Sequence, residues 1–140
     1  MSGLNINERG VISQSVVLLA PADALFHMYL DPIEHEAITG SPVTVGDTPG
    51  ARFSAFNGAL SGTVLSIVAP SLVVQSWRST DFKSDDPDST LILSFVPNGD
   101  SGRIDLVHLD VPDHDFDVVS KGWEKFYWQP WREYLARKLE

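Results

Sequence analysis

A chain of 140 residues with 43% hydrophobic and 21% charged residues has the size and balance of one soluble domain, expected to span 1–140 with its core at about 11–139. The net charge of −9 excludes nucleic acid and anionic membrane surfaces as partners, since Lys and Arg are too few to displace counterions from phosphates. Without cysteine there is no disulfide, no thiolate nucleophile and no Cys-based zinc site, and no apolar run approaches the roughly 18 residues that span a bilayer. The opening MSGLNINERG has neither the basic n-region nor the apolar h-region of a signal peptide, so a cytoplasmic protein is expected.

In chain order, Val11 to Ala20 is β-branched and apolar and reads as a strand ending at Pro21. Pro21 can open a helix over Ala22 to Leu30 that buries Leu25, Phe26 and Tyr29. Asp31-Pro32-Ile33-Glu34 has the pattern of a capping box with proline at the first helical position, predicting a second short helix that stops at Gly40. Short strands follow at Pro42 to Val45, Ala51 to Asn57, Leu60 to Ala69, Leu72 to Arg78, Thr90 to Val96 and Arg103 to Val111. Asn-Gly lies within the connection Pro97 to Gly102, a hairpin signal, and Ser79 to Asp88 reads as a solvated acidic loop. About seven strands joined by short links imply an antiparallel sheet.

The stretch SKGWEKFYWQPWREYL, residues 120–135, carries six of the fourteen aromatic residues. From Trp123, apolar residues recur at Phe126, Tyr127, Pro130, Trp131, Tyr134 and Leu135, the spacing of one helix face. Asp113 or Asp115 can cap this helix, and Pro130 should bend it. On a regular helix Trp128 falls about 140° from Trp123. That places it off the stripe beside Lys125 and Arg132, either half-exposed as a partner surface or packed on a neighbouring element.

Strand, two short helices, antiparallel strands and a long amphipathic helix form the order of the helix-grip, or START-like, fold: an α+β architecture with a curved sheet wrapped on the last helix. Gly62 with Val64, Gln75-Ser-Trp-Arg78, Leu91-Ile-Leu-Ser-Phe95, His108, Val111-Pro112 and Gly122-Trp123 before Phe126-Tyr127-Trp128 resemble the family of activators of the heat shock protein 90 ATPase, within the START-like (SRPBCC) superfamily. The resemblance covers about Val11 to Leu135. It implies either a module that docks on a heat shock protein 90 chaperone, with a role in stress response, or a domain that binds a small hydrophobic molecule between sheet and helix. Some superfamily relatives are cyclases or hydrolases. The two-domain activators carry a further domain and an N-terminal Asn- and Trp-rich motif that the opening residues here do not match, which favours ligand binding without enzymatic activity.

Alternation puts Leu91, Leu93 and Phe95 on one face, and Ile104, Leu106 and His108 on one face of the neighbouring strand. Facing the aromatic helix, these rows make Phe53, Trp77, Leu93, Phe95, Leu106, His108, Trp123, Phe126, Tyr127 and Trp131 candidates for a ligand pocket, with His108 and Tyr127 as its polar groups. His108 reads first as a hydrogen-bonded core-edge histidine and second as a ligand-facing or proton-transferring one. Trp77 reads as core before ligand platform. Arg78 points to the opposite face, where it pairs with an acidic neighbour, holds a phosphate or carboxylate ligand or serves, with Trp128, a partner surface. His27, His35 and His114 have no metal-ligand spacing, nucleophile and phosphate-loop motifs are missing, and no cofactor or metal is expected.

Overall fold

The computed structural model describes residues 9–138. The leaderless reading of residues 1–8 and the last two residues of the expected domain lie outside that range. One seven-stranded antiparallel sheet runs in the order β1-β7-β6-β5-β4-β3-β2. Its strands are β1 (Arg9–Leu18), β2 (Val43–Thr44), β3 (Arg52–Ala55), β4 (Leu60–Val68), β5 (Leu72–Ser79), β6 (Ser89–Asn98) and β7 (Ser101–Pro112). Two helices, α1 (Ala22–Leu30) and α2 (Pro32–Thr39), follow β1, and α3 (Phe116–Trp123), a π-helical turn (Glu124–Trp128) and α4 (Gln129–Lys138) form the long C-terminal helix. This is the START-like helix-grip fold.

β1 ends two residues earlier than expected, because the Ala20 N–H turns back onto the Leu18 carbonyl. The box at Asp31 is half made. Asp31 Oδ1 accepts the Ile33 N–H at 2.8 Å and Gly40 closes the helix at φ 82. Glu34 instead turns outward, accepting from the Tyr134 hydroxyl and from Lys138 and so tying α2 to α4. The β6–β7 hairpin closes on the Asn98↔Ser101 pair, so Gly99 is its first central residue, at φ 62. At Gly62 the strands come so close that a Cβ would lie 1.9 Å from the Ser76 carbonyl oxygen, which only glycine avoids.

The expected inward rows are found in register: Leu91 faces His108, Leu93 faces Leu106 and Phe95 faces Ile104, all buried. The acidic loop after β5 is largely exposed, as expected, but it is anchored at two points. Phe82 is buried against Trp77, and the Arg78 guanidinium donates to the carbonyls of Lys83 and Asp86, both at 2.7 Å, and to Asp88 at 3.2 Å. A charged donor with three acceptors staples the loop to the sheet.

The C-terminal helix contains the main surprise. Pro130 has no N–H to give the Phe126 carbonyl four residues back, and its ring crowds that oxygen. The break is taken up just before it, as a turn in which the Gln129 N–H reaches Glu124, five residues back. One extra residue in a turn rotates everything beyond it by about 100°. Trp128 therefore swings into the core at 4% exposed, while Phe126, expected on the stripe, is 47% exposed. The half-exposed placement of Trp128 is thus replaced by a buried one. Its ring stacks between Trp123, at 5.7 Å, and Trp131, at 6.4 Å, and its indole N–H donates to Gln14 of β1 at 2.9 Å. The Gln14 amide in turn donates to the Ser120 carbonyl, so one side chain clamps the helix to β1. Asp115 stands at the expected N-cap of α3, but its side chain makes no capping bond.

Candidate functional site

Two histidines are buried beneath the helix, and their partners determine their tautomers. Ser89 Oγ donates to the Trp77 carbonyl at 2.7 Å, which leaves it to accept the His108 Nε2 proton at 2.8 Å. His108 Nδ1 is then bare and accepts the Trp123 indole N–H at 3.3 Å. His35 Nδ1–H donates to the Tyr29 carbonyl at 2.8 Å, and its Nε2 accepts from the Tyr127 hydroxyl at 2.8 Å. The Tyr29 hydroxyl donates to Gln75 Oε1. Burial pushes His108 down to about 3 and His35 down to about 4, the Tyr29 carbonyl opposing the second shift. Both are neutral imidazoles with both nitrogens engaged. His108 accordingly belongs to the satisfied core. Tyr127 turns its hydroxyl towards His35, and burial raises its pKa.

The space between the centre of the sheet and the helix is filled. Phe53, Leu93, Leu106, His108 and Trp131 are all no more than 2% exposed, and none borders the cavity at the end of the grip. Phe95 borders a separate hollow beside Pro21, Pro70 and Pro97. That hollow has a volume of about 280 Å³, and a second cavity, of similar size at about 250 Å³, lies at one end of the grip. Four of the ten expected pocket residues line it: Trp77, Trp123, Phe126 and Tyr127. The rest of its wall comes from the β3–β4 hairpin (Phe56, Ala59, Leu60), the end of β5 and the turn after it (Ser79, Thr80, Asp81), and Asp115, Val118, Val119 and Gly122. Val118 and Phe126 are the exposed apolar residues of its rim.

Local sequence explains this hollow. Gly122 sits inside α3, where glycine costs roughly 1 kcal/mol relative to alanine, and it leaves room where a side chain would stand. On the facing hairpin, Phe56, Asn57 and Gly58 have φ of 53, 57 and 86, a run of left-handed residues that is unusual for phenylalanine. That turn holds the Phe56 ring edge-on to Phe126 at 5.6 Å and to Tyr127 at 6.2 Å. Mid-helix Gly122 and the Phe-Asn-Gly turn are signals that aromatic periodicity alone overlooked. Two polar atoms on the wall are buried without a partner: Trp77 Nε1 and Asp115 Oδ2. Arg78 lies on the opposite sheet face with its guanidinium engaged by the loop. Among the described residues, no group of three or more His, Asp or Glu could hold a metal ion, and no helix is long and apolar enough to cross a membrane.

A curved sheet gripping a helix, with a hollow at one end, defines the class; the family follows from comparison. The profile described as "Activator of Hsp90 ATPase homolog 1-like protein" matches residues 19–136, and the chain belongs to that family. It is 24% identical over 107 residues to the activator of 90 kDa heat shock protein ATPase homolog of Dictyostelium discoideum, covering 76% of this chain and 27% of that protein. The chain thus spans about a quarter of that relative. In fold it is similar to PFC0360w, an HSP90 activator from Plasmodium falciparum (TM-score 0.81, 21% identity, 90% of this chain and 96% of that one). It is also similar to MLL2253 from Mesorhizobium loti (TM-score 0.79, 16% identity, 91% and 98% covered).

Proposed function

We propose that this chain is a single binding domain that takes a small hydrophobic molecule in the end cavity, as a cytoplasmic protein and without catalysing a reaction. The supporting observation is the cavity of about 250 Å³ walled by Trp77, Trp123, Phe126, Tyr127 and Val119, whose lining is aromatic and apolar with a few polar groups. At about 250 Å³ it lies just below the ligand-pocket range, which begins at roughly 300 Å³, so only a compact ligand fits. Because Trp77 and Trp123 line the wall, tryptophan emission reports occupancy. Titration with small aromatic compounds should give a saturable change that Gly122→Leu, which places a side chain in the hollow, abolishes. No saturable change, or an identical one in Gly122→Leu, overturns the ligand reading.

A second reading is favoured by the printed names of the relatives: the domain docks on a heat shock protein 90 chaperone under stress, and the pocket is incidental. Titrating the protein against its own organism's chaperone, with ATP turnover as readout, separates the two. Weak binding with unchanged turnover is expected, and stimulated turnover that survives Gly122→Leu would favour docking.

A further inference from the structure

The two unpartnered atoms on the cavity wall narrow the chemistry of what it holds. Asp115 is 5% exposed, yet its Oδ2 has no hydrogen-bond partner, and it does not cap the helix that begins beside it. Buried carboxylate oxygens are nearly always satisfied, and leaving one bare is costly. Asp81 lines the same wall, and no Lys or Arg does. Burial first, then the charges of Asp81 and Asp86, raise the Asp115 carboxyl, with His114 pulling the other way. The second orphan, Trp77 Nε1, is a donor only, on a side chain 4% exposed. Everything else facing the hollow from α3 and the hairpin is apolar or aromatic.

Resting on the ligand-site reading above, we propose that the cavity takes an amphipathic organic cation, an amine on a compact apolar body. The ammonium donates to Asp115 Oδ2 with Asp81 beside it, and the body lies against Trp123, Val119 and Phe126 with its aromatic face towards the Trp77 indole N–H. The acidic net charge of −9 draws a cation towards the protein in the same sense.

The test compares phenethylamine, phenethyl alcohol and phenylpropionate, bodies of similar shape with cationic, neutral and anionic ends, by amide and indole chemical-shift titration of the whole chain. Phenethylamine should bind at least about tenfold tighter than the alcohol and shift the Trp77 indole signal, while phenylpropionate should not bind. In Asp115→Asn, most of the amine preference should be lost with alcohol affinity unchanged. Asp81→Asn should remove part of the preference, and it stands in if Asp115→Asn does not fold. Equal binding of amine and alcohol, or an amine preference that survives both variants, overturns the cation assignment and leaves the pocket standing. If none of the three binds, the ligand-site reading fails and the assignment falls with it.

Discussion

The centre and the end of the grip are built from the same kinds of residue and come out differently. At the centre, long aliphatic rows on β6 and β7 meet Trp131 and Leu135, and the two buried histidines have both ring nitrogens matched, while the Trp131 indole N–H has no partner. At the end, a glycine replaces a side chain on the helix, a left-handed turn swings Phe56 across, and two polar atoms are left unmatched. What distinguishes the end is a bare carboxylate oxygen beside open space, and that marks it as the part open to a visitor.

The largest effect expected from breaking this contrast is at the indole stack. Trp123→Ala and Trp128→Ala should each lose about 3–5 kcal/mol in denaturant melts, since both remove a buried ring. A loss below about 1 kcal/mol for Trp128→Ala alone would return that residue to the surface and remove the π turn.

The next largest effect is on pH dependence. His35 and His108 have folded pKa values near 4 and 3, below the unfolded value of 6.5, so the unfolded chain binds the extra protons. Their contribution is therefore present above pH 6.5 and lost as pH falls below it, by about 2 kcal/mol each between pH 7 and pH 5. Urea melts at the two pH values measure this, and His108→Gln should flatten the dependence by about half. An unchanged slope would show that His108 is not held neutral in the core.

Smaller still is the loop at the mouth. Arg78→Ala should cost about 1–2 kcal/mol and raise amide exchange over residues 80–88, because two backbone carbonyls lose a charged donor. Unaltered exchange there would mean that Phe82 alone anchors the loop. Smallest, and opposite in sign, is Gly122→Ala. Its Cβ would lie 3.6 Å from Phe126, ordinary contact distance, so the variant should gain about 0.5–1 kcal/mol while narrowing the hollow. A loss of stability would show that the cavity wall has no room to spare.

The strands, both short helices and the pairing of the apolar rows were readable, to within two or three residues at the strand ends, because period-two patterns and caps are local. The phase of the last helix was not. A regular 3.6-residue repeat fits Trp123, Phe126 and Trp131 well, and nothing in that repeat announces an extra residue, although Pro130, four positions before Tyr134, was the clue that the ladder must break. The candidate site was legible in part. Trp77, Trp123, Phe126 and Tyr127 were found from periodicity, whereas Asp115 read as a cap and Phe56 as an ordinary strand end. The cavity depends on a side chain that is missing at Gly122 and on a turn brought from about sixty residues away, and neither follows from the apolar pattern of one segment.

The sheet order has a consequence for how the chain is made. β1 is an edge strand whose neighbour is β7, with Ser13 paired to Val107, so the first strand of this sheet to leave the ribosome waits for the last of the sheet. At about 5–20 residues per second, that interval is roughly 5–20 s. Throughout it the nascent β1 carries Ile12, Val16 and Leu18, destined for the core, with no strand to pair with and no helix to cover them. The Gln14 clamp that later bonds Trp128 and Ser120 can form only once the C-terminal helix has emerged. Ribosome-stalled chains cut before β7 should therefore be the aggregation-prone form of this protein and the one on which general nascent-chain chaperones act.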